Sequence, residues 1–147
     1  MNVVAVDPGK MTGVSVFTNG EFRSFELSRG FGGFAVWLDS ESGLFRPHDH
    51  LIIESFTVNA GTAKKDSGAY PEVFSIIGAA RLTAYQNGMR FGFQTPAEAK
   101  SFATNDKLKK LGWFSGGLGH ADDSARHLLT FLAKNNYRPI LERLTAP

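Results

Sequence analysis

The chain has 147 residues, of which 42% are hydrophobic and 20% charged, with a formal net charge of +2 and no cysteine. That length suits one domain with one sizeable core, and the composition is that of a soluble globular protein. Disulfides and thiol catalysis are excluded. No apolar run approaches the roughly 18 residues that suggest a membrane span. The N-terminus shows no secretory pattern, so the expected compartment is the cytoplasm.

Residues 2–6, apolar from Val3 to Val6, predict a buried strand that ends on Asp7. A tight turn, Pro8-Gly9-Lys10-Met11, leads into residues 13–18. Asn19-Gly20 then separates that run from residues 21–27, a hairpin signal because both turn positions need positive φ. Gly30, Gly32 and Gly33 mark a loop before a short helical face of Phe34, Trp37 and Leu38, which Gly43 and Pro47 break. Residues 50–54 read as a second buried strand, ending on Glu54. Residues 57–70 are polar and read as a loop or an irregular helix entry. Val73, Ile76, Ile77, Ala80 and Ala84 recur at helical spacing between Pro71 and Gln86, and Asn87-Gly88 is a stop signal. A strand over 89–94 precedes a capping box of Thr95 and Glu98 around a helix that begins at Pro96. Residues 103–119 are basic and then glycine-rich and predict a loop; residues 120–134 predict a helix, and the tail a short extension. An antiparallel three-stranded start followed by βαβ units predicts an α/β fold, a mixed sheet with helices on its faces.

Acidic residues stand at the ends of apolar strands and at the start of the last helix. Asp7 and Glu54 can lie side by side on neighbouring strands. His120 and Asp123 are three apart and share a helix face, while Asp122 points roughly 100° away. Clustered carboxylates repel one another, and a hard divalent cation, Mg²⁺ or Mn²⁺, resolves the repulsion through oxygen ligands. Two such ions about 4 Å apart activate a water and stabilise the leaving oxygen of a phosphodiester. Taken singly, each residue also has a structural reading: a turn former for Asp7, a strand-end ion pair for Glu54, and helix-start groups for His120, Asp122 and Asp123. The charge is only mildly basic, but Lys64-Lys65 and the late group Lys100, Lys107, Lys109 and Lys110 are local basic patches suited to a phosphodiester substrate.

Three segments, Val4-Ala5-Val6-Asp7-Pro8-Gly9-Lys10-Met11-Thr12-Gly13, Ile52-Ile53-Glu54-Ser55-Phe56 and His120-Ala121-Asp122-Asp123-Ser124-Ala125, resemble the RuvC family of Holliday-junction resolvases. So does the stretch from Glu72 to Lys100, with Ile77-Gly78-Ala79-Ala80-Arg81 like the family's central helix and Gln94-Thr95-Pro96 like its strand-to-helix turn. The resemblance implies one RNase H-like nuclease domain over 1–147, with a mixed central sheet flanked by helices. It also implies a homodimer and Mg²⁺-dependent resolution of four-way or branched DNA by a crossover-junction endodeoxyribonuclease, with Mn²⁺ able to substitute and no small-molecule cofactor or membrane partner. Asp7, Glu54, His120 and Asp123 match the family's four catalytic, metal-binding positions. Asp122 falls outside this register and is second to them or an alternative. His120 either ligates the metal or moves a proton, and Lys107 matches a basic residue near the scissile phosphate. Phe56 lies near a junction-wedging aromatic of the family, but the offset differs and a core role is expected. The chain is shorter than typical cellular members, which suits a compact viral form in a host cytoplasm or a divergent bacterial one.

Three other classes compete. YqgF-like nucleases share the Asp-x-Gly start and a late Asp but act on RNA. A non-catalytic protein would bind branched DNA through phosphates alone. An actin-like ATPase shares the early Asp-x-Gly and Thr-Gly, but needs two duplicated domains that 147 residues cannot hold.

Overall fold

A computed structural model describes residues 1–57 and 70–147, so Lys64, Lys65 and the rest of their polar segment lie outside the described residues. Five strands form one sheet in the order β3-β2-β1-β4-β5: β1 (Val3–Asp7), β2 (Thr12–Thr18), β3 (Glu21–Leu27), β4 (His50–Glu54) and β5 (Arg90–Gln94). β1, β2 and β3 are antiparallel neighbours. β4 joins β1 in parallel and β5 joins β4 in parallel. The β2–β3 hairpin turns on Asn19 (φ 54°) and Gly20 (φ 85°), the positive-φ pair that its dipeptide predicts.

Six α-helices flank the sheet among the described residues: α1 (Gly30–Ser40), α2 (Tyr70–Gln86), α3 (Pro96–Phe102), α4 (Asn105–Leu111), α5 (Gly119–Lys134) and α6 (Arg138–Thr145). Strand alternation sorts the core into two layers. Val4, Val6, Leu51 and Ile53 pack with Phe34 and Trp37 of α1 and with Ile76 and Ala80 of α2. Val3, Ala5, Phe17 and Ile52 face the other way, onto Ala125, Leu128, Leu129 and Leu132 of α5, and Leu108 and Leu111 of α4 complete that layer. The mixed sheet with helices on its faces is the architecture that the element order predicts.

Three local expectations are corrected. The glycines at 30–33 open α1 instead of forming a loop. Arg29 (φ 69°) and Gly30 (φ 54°) turn the chain, and Glu72 of α2 accepts from the Phe31 N–H at 2.5 Å, a cap supplied from a distant element. Residues 105–111 are helical, because Thr104 caps α4 at its start and Gly112, in the left-handed region, ends it. The tail forms α6, which docks through buried Ile140.

Candidate active site

One row of residues crosses the sheet on the face covered by α5. Glu26 of β3 pairs with Gly13 of β2, and Gly13 with Asp7 of β1. The β1–β4 register, Val6 to Ile53, carried one residue further sets Glu54 beside Asp7. Glu54 in turn pairs with Gln94 of β5. Alternation along each strand is in phase, so Asp7, Glu54 and Gln94 all end their strands facing α5 at the carboxyl edge of the parallel part of the sheet.

Helix α5 is seated across this row by groups that the sheet provides. A Cβ on Gly13 would overlap the backbone carbonyl of His120, so only glycine lets the helix start approach β2 so closely. The Glu26 carboxylate accepts from the His120 and Ala121 N–H groups at 2.9 and 3.4 Å, placing a negative charge at the helix N-terminus. Buried Ser15 and Ser124 hydroxyls meet at 2.7 Å one turn further on. Along α5, His120, Asp123 and His127 are spaced three and four apart and lie on one face.

That face meets the strand ends as a set of pairs. His120 Nδ1 lies 3.0 Å from Asp7 Oδ2. His127 Nε2 lies 2.8 Å from Glu54 Oε2, and its Nδ1 3.1 Å from Gln94 Oε1. Asp123 accepts from Arg126 Nε at 3.2 Å, and Lys100 Nζ stands 3.9 Å from its other oxygen. The Arg126 guanidinium also donates to the Ala103 carbonyl and to Asn105 Oδ1. Asp7 is only 7% exposed, and burial pushes its carboxyl up to about 7. The charges of Glu54 and Asp123 push the same way, while the hydrogen bond and charge of His120 oppose them. The carboxylates are therefore near enough to feel one another, and the sequence-predicted Asp7, Glu54, His120 and Asp123 share one region of the molecule.

Among the described residues, no three acidic or histidine side chains converge at ligand distance as they stand; each carboxylate faces a basic neighbour instead. The donor set nevertheless fits a hard divalent cation in kind: it supplies three carboxylates, and the Asp7 carboxyl is held up first by burial and then by the charges of Glu54 and Asp123, both of which a bound cation would offset. Asp122 is turned away, accepting from the Ser115 N–H at 2.8 Å and anchoring the loop before α5. Lys107 donates to the Phe102 carbonyl at 2.8 Å and lies over the Phe102 ring, so its ammonium is engaged outside the carboxylate group. Phe56 is half-buried and packs edge-on against Tyr70 and Phe74, outside both core layers. Sequence reasoning missed His127 and Gln94 as site residues; the signal for His127 was its place on the same helical stripe as His120 and Asp123.

The sequence matches no protein-family model and none of the curated proteins. Solved structures do match. A structure described as Thermus thermophilus RuvC in complex with Holliday junction substrate superposes with a TM-score of 0.65 at 19% identity, covering 92% of this chain and 96% of that one. The fold is RuvC-like. A second Thermus thermophilus RuvC structure gives a TM-score of 0.58 at 19% identity, with 92% of this chain and 97% of that one covered. The RuvC-like fold thus spans nearly the full length of both proteins.

Proposed function

We propose that the chain is a metal-dependent endonuclease that cuts four-way or otherwise branched DNA. One observation carries this reading: on a RuvC-like fold, Asp7 and Glu54 end adjacent parallel strands, with His120 of α5 in contact with Asp7 and Asp123 near enough for its charge to act on Asp7. Asp7, Glu54, Asp123 and His120 are the residues that would hold Mg²⁺, with Mn²⁺ able to substitute. When bound, such ions supply an activated water and stabilise the leaving oxygen.

The chain's own residues prepare that chemistry. Asp7 is buried at a rigid strand end, so its carboxylate direction is set by the sheet. His120 is half-exposed at the site's edge and shares a hydrogen bond with Asp7, which places an imidazole where a proton can be passed to or from solvent. Lys100, largely exposed and beside Asp123, offers a cation to the substrate phosphate. Lys107 is the second such cation in this proposal; it acts on the developing charge after exchanging the Phe102 carbonyl for phosphate. The nuclease domain spans 1–147. A homodimer would present two such sites to two strands and give paired cuts. The exposed Phe74, Leu82 and Tyr85 on one side of α2 provide it with an apolar face.

The test is cleavage of a synthetic four-way junction, a fork, linear duplex and structured RNA with Mg²⁺ or Mn²⁺, beside Asp7→Asn and Glu54→Gln. Junction cleavage lost in both variants is expected. Equal cleavage by Asp7→Asn rejects the assignment, and preference for the RNA would move the substrate to the YqgF-like alternative.

A further inference from the structure

We propose that His127 is a positioning residue whose buried imidazole braces the Glu54 carboxylate against the sheet and holds it in place for the cation. The inference rests on the reading of Glu54 as a metal-binding carboxylate.

The two histidines of the site differ in kind. The His120 side chain is 51% exposed, whereas that of His127 is 1% exposed. His120 has solvent on one side, and His127 is enclosed. Both ring nitrogens of His127 are engaged, Nε2 by Glu54 and Nδ1 by Gln94. The Gln94 amide has two orientations. With its oxygen toward Nδ1, both ring nitrogens donate. With its NH₂ toward Nδ1, the ring is neutral and accepts there. With Glu54 ionised, the Nε2–H donates to it in either orientation, so the brace is available to the neutral and the charged ring alike.

The far end of the brace is rigid as well. Gln94 is buried, is the register partner of Glu54, and accepts the Ser55 N–H on its backbone carbonyl at 2.8 Å. Sheet, Gln94, His127 and Glu54 therefore form a closed loop of contacts between β4, β5 and α5. Glu54 needs such a brace more than Asp7 does. Its side chain has one more rotatable bond and is half-buried, so an untethered Glu54 would spread over several rotamers. Hydrogen-bond partners that orient ligating groups are typically worth 10–100-fold in metal affinity.

The experiment is Mn²⁺ binding by calorimetry to the full chain, without nucleic acid. The variants are His127→Phe, which keeps a ring but loses both nitrogens, and His127→Gln, which returns an N–H near the Nε2 position. Circular dichroism and cooperative melting check that each variant folds. The expected result is that His127→Phe weakens Mn²⁺ binding by about tenfold or more and that His127→Gln recovers most of the loss. If the parent binds Mn²⁺ and both variants match it, the role of His127 is overturned while the cation site stands. Equal loss in both variants marks a packing role and also overturns it. No Mn²⁺ binding by the parent overturns the metal reading and this inference with it. Should His127→Phe not fold, the imidazole ¹⁵N spectrum of the parent decides. The His127 Nε2 resonance is expected to move as Mg²⁺ saturates the site; an unmoved resonance refutes the brace.

Discussion

Asp7→Asn should inactivate the protein and make it more stable, and the size of that gain follows from the site's electrostatics. The Asp7 carboxyl is pushed from 3.8 to about 7, first by burial and then by the charge of Glu54. The native state therefore holds the Asp7 proton more tightly than the unfolded chain does. Stability from this group is fully present below the unfolded value of 3.8, falls as pH rises, and is lost once pH passes about 7. Each pKa unit is worth about 1.4 kcal/mol, so the ionised carboxylate costs up to about 4 kcal/mol above that point. Asparagine keeps the shape and carries no charge. The variant should match the parent near pH 4 and exceed it by about 2–4 kcal/mol near pH 8, or roughly 5–15 °C in melting temperature for a chain of this size. Urea unfolding with EDTA at both pH values measures the difference. A parent as stable as Asp7→Asn near pH 8, or an advantage of equal size near pH 4, refutes the claim that crowded, buried charge destabilises the site. Added Mg²⁺ should raise the stability of the parent and leave Asp7→Asn unchanged, because only a native state that binds the ion gains from it.

Gly13→Ala places a Cβ on the His120 carbonyl, so α5 has to shift; a loss of about 1–3 kcal/mol and of cleavage together is expected, and an unchanged melt would contradict the close approach of β2 and α5. Lys100→Ala removes a largely exposed cation and should leave stability within about 0.5 kcal/mol. The same variant should weaken junction binding and lower the salt dependence of that binding by about one counterion; an unchanged salt slope removes Lys100 from the phosphate contacts. Leu82→Asp puts a charge on the exposed α2 face, with a shift from dimer to monomer by light scattering and single nicks in place of paired cuts as the expected result. A dimer that persists would move the interface elsewhere.

The strands were legible because alternation and turn chemistry are local. Val3 to Val6 could be buried on both faces only inside a sheet, and Asn19-Gly20 admits few turns other than the one it makes. The misread segments depend on partners that local patterning does not reveal. The start of α1 is capped by Glu72, 41 residues from the Phe31 N–H that it accepts. α4 is a seven-residue helix, too short to be stable alone, and it owes its existence to Leu108 and Leu111 entering the core layer that also holds Leu128, Leu132 and Ile140. The amphipathic tail acquired a reason to be helical only once Ile140 had a core to enter.

The site divides along the same line. Asp7 and Glu54 are recognisable because a carboxylate that closes a fully apolar strand has few cheap places to go. His120 and Asp123 follow from helical spacing. His127 was hidden by its setting, in a run with Leu128, Leu129 and Leu132 that reads as plain core. A fully buried imidazole must find partners for both nitrogens, and here the sheet supplies them at the carboxyl ends of β4 and β5. Satisfying that histidine and aiming Glu54 are therefore one structural requirement. Shifting α5 by a single residue would strand His127, unpair Glu54 and carry His120 away from Asp7 together, so the packing of this helix and the geometry of the site cannot be altered independently.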